Sequence, residues 1–529
     1  MTTELKTRWL PAAASGLLLT AAFPKLGLSV LAWVAFVPLF IALGNLSPQK
    51  AFRTGLIAGM VHYLTLLYWV VITMRTYGYL PWWQCIGLLV LLSTYLGLYP
   101  AFFAMLIVRF CRKPGRLLLL APICWVALEY VRCFLLTGFP WGTLGYSQFN
   151  RLHIIQISDM FGVYGISFLI VLFNAGVYVT ILRLAKWQWH GQDVSPRDLI
   201  LAVMLPVTLV GLVLIYGNMR IHTVDAHMTK APSTRVAVVQ GNIDQARKWD
   251  PVFQISTTKK YLDLTLSAAT HQPDLIVWPE TATPFYFGAS PKLTRLVTET
   301  VQQTGAYLLV GSVSAQETAD QRALYNSAYM VSPDGHATGR YDKVHLVPFG
   351  EYVPLKRLLS FVGKMVAQVG DFSSGNKGQT LAWGDATPPI GVQICFEIIF
   401  PGLSRALAKN GAGMLVNLTN DAWFDRSSAA YQHFAMTVFR AVENRRVLVR
   451  CANTGISGFI DPVGRIIAQS GLFEDAVIQK QVPVLKQTTL YTRMGDVLPL
   501  LCLIGMGALI GRAMVKKRSP SDFTKRPIG

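Results

Sequence analysis

The apolar segments constrain this chain more than anything else in it. A run of about 20 apolar residues crosses the hydrocarbon of a bilayer as a helix. Seven such windows fall before residue 220, near 9–23, 28–45, 54–74, 84–108, 117–136, 161–184 and 198–217, and an eighth runs near 495–514. A chain that is 52% hydrophobic and only 14% charged has too few polar side chains to clothe a soluble body of 529 residues. About eight transmembrane helices are therefore expected. The first window is short, and fits a tilted or re-entrant segment as well as a full crossing. The fifth holds Glu129 and Arg132, three apart and able to pair on one helix face.

Charge supplies the orientation. The net charge is +20, but residues 220–489 hold 26 basic and 21 acidic side chains, only +5, and the rest of the chain contributes +15. With a cytoplasmic N-terminus, 17 of the basic residues outside 220–489 fall on the inner side and 5 on the other, which the positive-inside rule selects. The basic excess beside hydrophobic segments is thus a topology signal. No recognition motif accompanies it, so nucleic acid is not an expected partner. The expected organisation is helices 1–7 over residues 1–219, a polar domain over 220–490 outside the cytoplasm, and helix 8 with a basic cytoplasmic tail over 491–529.

The polar region reads as α/β. Strand-like runs include RVAVVQGNI (235–243), DLIVWPE (274–280), AYLLVGSV (306–313), SAYMVSP (327–333), IGVQICFEIIF (390–400) and GMLVNLTN (413–420). Residues 447–470 read as two strands about an Asp-Pro-Val-Gly turn, and 292–304 and 431–446 as helices. Strands alternating with helices and then pairing predict a layered α/β sandwich.

Of seven cysteines, only Cys395 and Cys451 lie in this region, and no CxxC occurs, so neither a disulfide framework nor a metal site is indicated. No cofactor is expected. Three short motifs sit at strand ends: Glu280 in WPET, Lys343 and Glu351 in GRYDKVHLVPFGEYVP (339–354), and Cys395 in QICFE. Singly, each has an ordinary explanation as a cap, a solvated amine or a small core residue. Together they suit one chemistry. A thiol is little ionised at neutral pH and needs a base or a cation beside it. A partly buried Glu can take its proton, and a Lys can hold charge developing on a carbonyl oxygen. His345 and His433 are close in sequence, but neither carries a Cys-His signature. Cys451 reads as a strand or core residue, and Trp82 and Trp83 as an interfacial belt.

WPE, the Lys343 loop and Cys-Phe-Glu resemble the nitrilase superfamily, whose members use a Glu-Lys-Cys triad on an α-β-β-α sandwich; the resemblance spans roughly 232–485. The spans before and after, with QGNIDQARKWDP (240–251), VPFGEYVP (347–354), NLTNDAWF (417–424), ANTGISGFIDPVG (452–464) and the loop GFPWGTLGYSQ (138–148), make the whole chain similar to the apolipoprotein N-acyltransferase family of the bacterial inner membrane. That resemblance places the nucleophile on Cys395, the base on Glu280 and the oxyanion-stabilising amine on Lys343. It places supporting carboxylates on Glu351 and Glu397, and an indole at the substrate entrance on Trp249. Phe396 stands where some relatives carry Tyr, so a hydroxyl role there is not available to this chain, although its backbone N–H can assist the oxyanion.

The implied reaction is ping-pong acyl transfer. A phospholipid acylates Cys395 and leaves as a lysophospholipid. The α-amine of a diacylglyceryl-cysteine on an apolipoprotein then takes the acyl chain as an amide. Expected partners are the phospholipid donor, the apolipoprotein acceptor and membrane lipids, with the enzyme a monomer in the inner membrane, its catalytic domain periplasmic and both termini cytoplasmic. Two other readings stand beside this one. A membrane-tethered amidase with the same triad would act on small amides. A transporter or scaffold would only bind a ligand, but scarce intramembrane charge and the absence of broken repeats weigh against it.

Overall fold

The computed structural model of the protein describes residues 3–317, 322–353, 371–384 and 387–518. Pro354, which closes the second motif, and the tail beyond 518 lie outside the described residues.

Helices dominate the first half: α1 (Thr3–Ala21), α2 (Val37–Leu43), α3 (Pro48–Leu66), α4 (Trp69–Thr76), α5 (Trp82–Phe110), α6 (Leu117–Arg132), α7 (Leu152–Ile155), α8 (Ser158–Leu184) and α9 (Pro196–Lys230). Among the described residues, five helices are long and apolar enough to cross a bilayer: Trp82–Phe110, Pro114–Arg132, Ser158–Leu184, Pro196–Lys230 and Val497–Met514. A sixth results if α3 and α4, bent by 51° at their junction, form one span. This differs from the expected eight. The second window breaks into a 3-10 turn (Ser29–Trp33) and the seven-residue α2, started by Pro38 and ended at Gly44, which is too short to cross. Glu129 and Arg132 also differ from expectation. Each binds the loop that follows rather than the other: Glu129 accepts from the Leu144 N–H at 2.7 Å, and Arg132 donates to the Trp141 carbonyl at 2.9 Å.

The second half carries β1 (Ser233–Gln240), α10 (Gln254–Ala269), β2 (Leu275–Val277), α11 (Pro291–Thr304), β3 (Tyr307–Glu317), β4 (Arg322–Val331), β5 (Ala337–Asp342), β6 (Ile390–Ile394), α12 (Pro401–Lys409), β7 (Met414–Thr419), α13 (Ser428–Asn444), β8 (Val447–Ala452), β9 (Gly458–Ile460), β10 (Ile466–Gln469) and β11 (Ala476–Pro483). The closing helices are α14 (Leu490–Met494) and α15 (Val497–Arg518). Two sheets form, ordered β11-β1-β2-β3-β4-β5 and β10-β9-β8-β7-β6. Residues 447–470 give three strands rather than the expected two, with the Asp461–Gly464 turn joining the second and third.

The sheets stack through Val236, Val277, Val392, Val416 and Val449, while the other face of the first sheet buries Ile276 and Leu308 against α10 and α11. The outer face of the second sheet meets α12 and α13. Helix α13 packs in turn on the membrane half, sharing one core with Trp141, Tyr146 and Val163. Ion pairs reinforce this seam: Arg445 meets Asp159 at 2.7 Å, and Asp159 also accepts from Arg220 at 2.7 Å. The α-β-β-α body is therefore seated on the helical bundle through its fourth layer. In α9 and α15 only 11% of the apolar window is buried, and side chains such as Ile200, Val207 and Leu212 face outward as a lipid-contacting surface does.

Candidate active site

Three strand ends converge. Strand β2 stops because Pro279 has no N–H for a ladder bond, and the chain turns at Glu280 and Thr281. Thr281 is left-handed at φ +45°, a conformation that β-branched residues seldom adopt. Gly311 on β3 makes room beneath. A Cβ there would sit 2.2 Å from the Pro279 oxygen and 2.9 Å from the Glu280 Cα. The Glu280 carboxylate is buried. Its Oε1 accepts from the Asn326 amide at 2.8 Å and from Lys343 Nζ at 3.5 Å, while Oε2 is buried with no hydrogen-bond partner among the described residues.

Lys343 follows β5, fixed by its own N–H to the Asn326 carbonyl at 2.8 Å. Its ammonium is 1% exposed and meets Glu351 at 2.9 Å. Burial alone would lower the Lys343 amine, but Glu351 and Glu280 more than offset it, so it is held above its ordinary value and stays charged. Glu351 is thus the salt-bridge partner of Lys343. Its second oxygen accepts the Val347 N–H at 2.8 Å and so shapes the loop.

Cys395 lies at the end of β6. The strand-like run expected to continue to 400 instead stops at Ile394, and residues 395–399 form a 3-10 turn. Cys395 itself takes φ +52°, a strained elbow of the kind found at functional positions. Burial pushes its thiol up to about 12, with the Glu280 charge adding to the rise and Lys343 opposing it. The resting sulfur is therefore protonated. Any attack by this sulfur would need a base to remove the proton.

Glu397 accepts from the N–H groups of Val344 (2.6 Å), His345 (3.1 Å) and Ile394 (2.6 Å), and from the Tyr341 hydroxyl. It thereby ties the Cys395 elbow to the Lys343 loop. Burial pushes its carboxyl up to about 7 despite these donors. Glutamine in its place offers one acceptor oxygen to three backbone donors. Glu397→Gln is expected to cost about 2 kcal/mol of stability, read as a lower thermal midpoint, and to lower activity through the displaced elbow.

Phe396 points to the membrane half. Its ring lies 6.3 Å from Phe139 of the loop at 138–148, and 5.5 Å from Phe400. Trp141 of that loop stacks on His433 at 5.6 Å, and its indole N–H donates to Gln432 at 2.7 Å. His433 lies 3.0 Å from Asp421, which also holds Arg450 at 2.7 Å; burial and then Arg450 push the imidazole below its ordinary value. Burial and Lys343 lower His345 to about 4. Both imidazoles are neutral at pH 7. Cys451 is a core thiol against the Val277 and Val239 carbonyls. Trp249 is half-buried in the turn after β1, and Trp82 and Trp83 are exposed at the start of α5. Sequence reasoning missed Asn326 and Lys248. The first was signalled by two consecutive polar residues, Asn326 and Ser327, inside the strand β4, where both are buried. The second had no signal in a polar turn.

Residues 15–176 match the family described as apolipoprotein N-acyltransferase N-terminal domain, and residues 235–489 match carbon-nitrogen hydrolase. The chain is 45% identical over 510 residues to the apolipoprotein N-acyltransferase of Geobacter metallireducens, covering 96% of each. It is 34% identical over 493 residues to that of Methylococcus capsulatus, covering 92% of each. Among solved structures, Saccharomyces cerevisiae Nit3, a member of branch 10 of the nitrilase superfamily, aligns at 18% identity and TM-score 0.36, over 55% of this chain and 97% of that one.

Proposed function

This chain belongs to the apolipoprotein N-acyltransferase family, and from that premise we propose that Cys395, Glu280 and Lys343 carry its acyl transfer from phospholipid to the N-terminus of a lipoprotein. The observation that carries the assignment is the Oε2 of Glu280, a buried lone pair without a partner among the described residues, while the other oxygen is held by Asn326 and Lys343. Glu129 and Glu443 also keep one buried oxygen without a partner among the described residues; that of Glu280 counts because its charge acts on the protonated Cys395 thiol and its other oxygen is shared with Lys343, which makes it a proton acceptor in waiting.

In the first step Cys395 Sγ attacks the phospholipid ester carbon while its proton passes to Glu280 Oε2. Lys343 Nζ and the Phe396 N–H, which at the start of a 3-10 turn has no partner within the turn, stabilise the oxyanion. Collapse expels the glycerol oxygen, which takes the proton from Glu280, and leaves a thioester on Cys395. In the second step the α-amine of a diacylglyceryl-cysteine attacks that thioester, loses its proton to Glu280, and carries the chain away as an amide. The thiol recovers the proton. Both substrates keep their acyl chains in the bilayer, which suits a site whose elbow residue Phe396 packs on the membrane loop through Phe139. The catalytic body is proposed to lie on the periplasmic face of the inner membrane with both termini cytoplasmic, the arrangement that results when α3 and α4 form one span and five spans precede the body, and one that the basic residues of the connecting segments support. Trp249, in the turn after β1 and next in sequence to the buried Lys248, is proposed to line the entrance, and the enzyme to act as a monomer.

Intact-mass spectrometry tests the reading. With phospholipid, the protein is expected to gain one acyl mass at Cys395. A diacylated lipopeptide should discharge it and carry the same mass on its amino terminus. Hydrolysis of a soluble amide with no acyl-protein mass would favour the small-amide amidase instead.

A further inference from the structure

Lys248 lies in the turn after β1, at residues 245–249, and its side chain is almost wholly buried at 2% exposure. Its ammonium donates to Thr281 Oγ1 at 2.6 Å and to the Glu280 carbonyl oxygen at 3.2 Å. Among the described residues it forms no ion pair, so two neutral oxygens of one turn hold a buried cation. A lysine pays a desolvation penalty in such a place and is normally found there with a carboxylate. The turn it holds is the one that aims the base. Thr281 is left-handed, Gly311 clears space below and its carbonyl accepts the Thr283 N–H at 3.3 Å, and among the described residues Lys248 is the only side chain that donates to the Glu280 carbonyl and the Thr281 hydroxyl.

We propose that Lys248 is a positioning residue for Glu280: its ammonium pins the Glu280–Thr281 turn so that Oε2 meets the thiol, and adds a second positive charge facing the reacting atoms. The inference rests on the assignment of Glu280 and Cys395 above. The titratable groups facing Lys248 are Glu280, from the β2 turn, and Cys395, from the β6 elbow. Burial lowers its amine to about 8, and both neighbours act against that fall. The positive charge is therefore present at neutral pH and lost as pH rises above about 8. Guanidinium at the same position would remain charged.

The test is single-turnover formation of the Cys395 thioester by the full-length protein in phospholipid-containing micelles, followed by mass from pH 6 to 10. Lys248→Met is expected to slow the step about 100-fold, the scale of loss when a catalytic group is misplaced by an ångström, with half-saturating phospholipid changed less than about two-fold. Lys248→Arg is expected to recover most of the rate and to move the alkaline fall upward by at least about one pH unit. Thr281→Val, which deletes one acceptor while leaving the lysine in place, is expected to slow the step about ten-fold. Met or Val variants within two-fold of wild type would overturn the proposal. So would an Arg variant that matches Met with an unmoved alkaline limb, since that is the behaviour of a packing cation. Wild-type protein that never acquires an acyl mass on Cys395 would instead refute the underlying site assignment.

Discussion

Replacing Glu280 by glutamine is expected to slow acyl transfer at pH 7 by roughly a thousand- to ten-thousand-fold while leaving the protein folded. The amide oxygen can still accept from Asn326 and Lys343, so the hydrogen bonds at Oε1 survive. The change falls on Oε2, where a proton acceptor becomes an NH2 group. Burial pushes the Cys395 thiol up to about 12, so without its base the sulfur must ionise unaided. The rate of the variant should then climb about ten-fold per pH unit through the neutral and mildly alkaline range, as the thiolate fraction does below a thiol pKa. The wild-type enzyme, with proton transfer coupled to attack, should show no such slope. Thioester formation measured by mass against pH checks both parts. A variant within ten-fold of wild type at pH 7, or one whose deficit is the same at pH 9, would remove Glu280 from the role of base.

Much of this site is legible in the sequence because its chemistry sits where strands break. Pro279 marks the end of β2, and Pro401-Gly402 the end of the segment holding Cys395, so Glu280 and Cys395 stand out as polar groups at the edges of apolar runs. What is not legible depends on neighbours distant in sequence. Lys248 sits in a polar turn that carries no local signal; only the fold brings the 280–281 turn over it. Glu397 reads as a possible partner of Lys343, but its carboxylate goes to backbone N–H groups of a loop some fifty residues away. Cys395 continues an apolar run and reads as strand. It becomes an elbow because Glu397 draws the Ile394 N–H into a turn. Helix α13 is a further case. Its Gln432, His433, Arg440 and Glu443 would ordinarily mark a wet face, yet all four are buried, because the membrane half supplies partners on the side that water would take in a soluble sandwich. The expected eight spans are not confirmed, for the opposite reason. Hydropathy sees apolar residues at 28–45 but not the turn and short helix that shorten the segment.

Lys343→Met tests how fold and chemistry share one cation. The ammonium is 1% exposed and lies between Glu351 at 2.9 Å and Glu280 at 3.5 Å. Both carboxylates also accept from the same Asn326 amide nitrogen, at 2.8 and 3.0 Å, so they are close neighbours without it. Removing one partner of a buried pair costs about 3–5 kcal/mol. The single variant should therefore melt well below wild type and, with Lys343 in its proposed role as the charged donor to the oxyanion, lose at least about a thousand-fold in activity. Two facing carboxylates relieve their repulsion by taking up a proton. A carboxylate that binds its proton more tightly when folded contributes stability at low pH and loses it as pH rises, so the Met variant should regain thermal stability on acidification. Lys343→Met with Glu351→Gln removes one of the two charges. That pair should recover most of the stability and become insensitive to pH in this range, while remaining as inactive as the single variant. Recovery of activity together with stability would mean that Lys343 only holds the fold, and that the oxyanion is stabilised by backbone N–H groups alone.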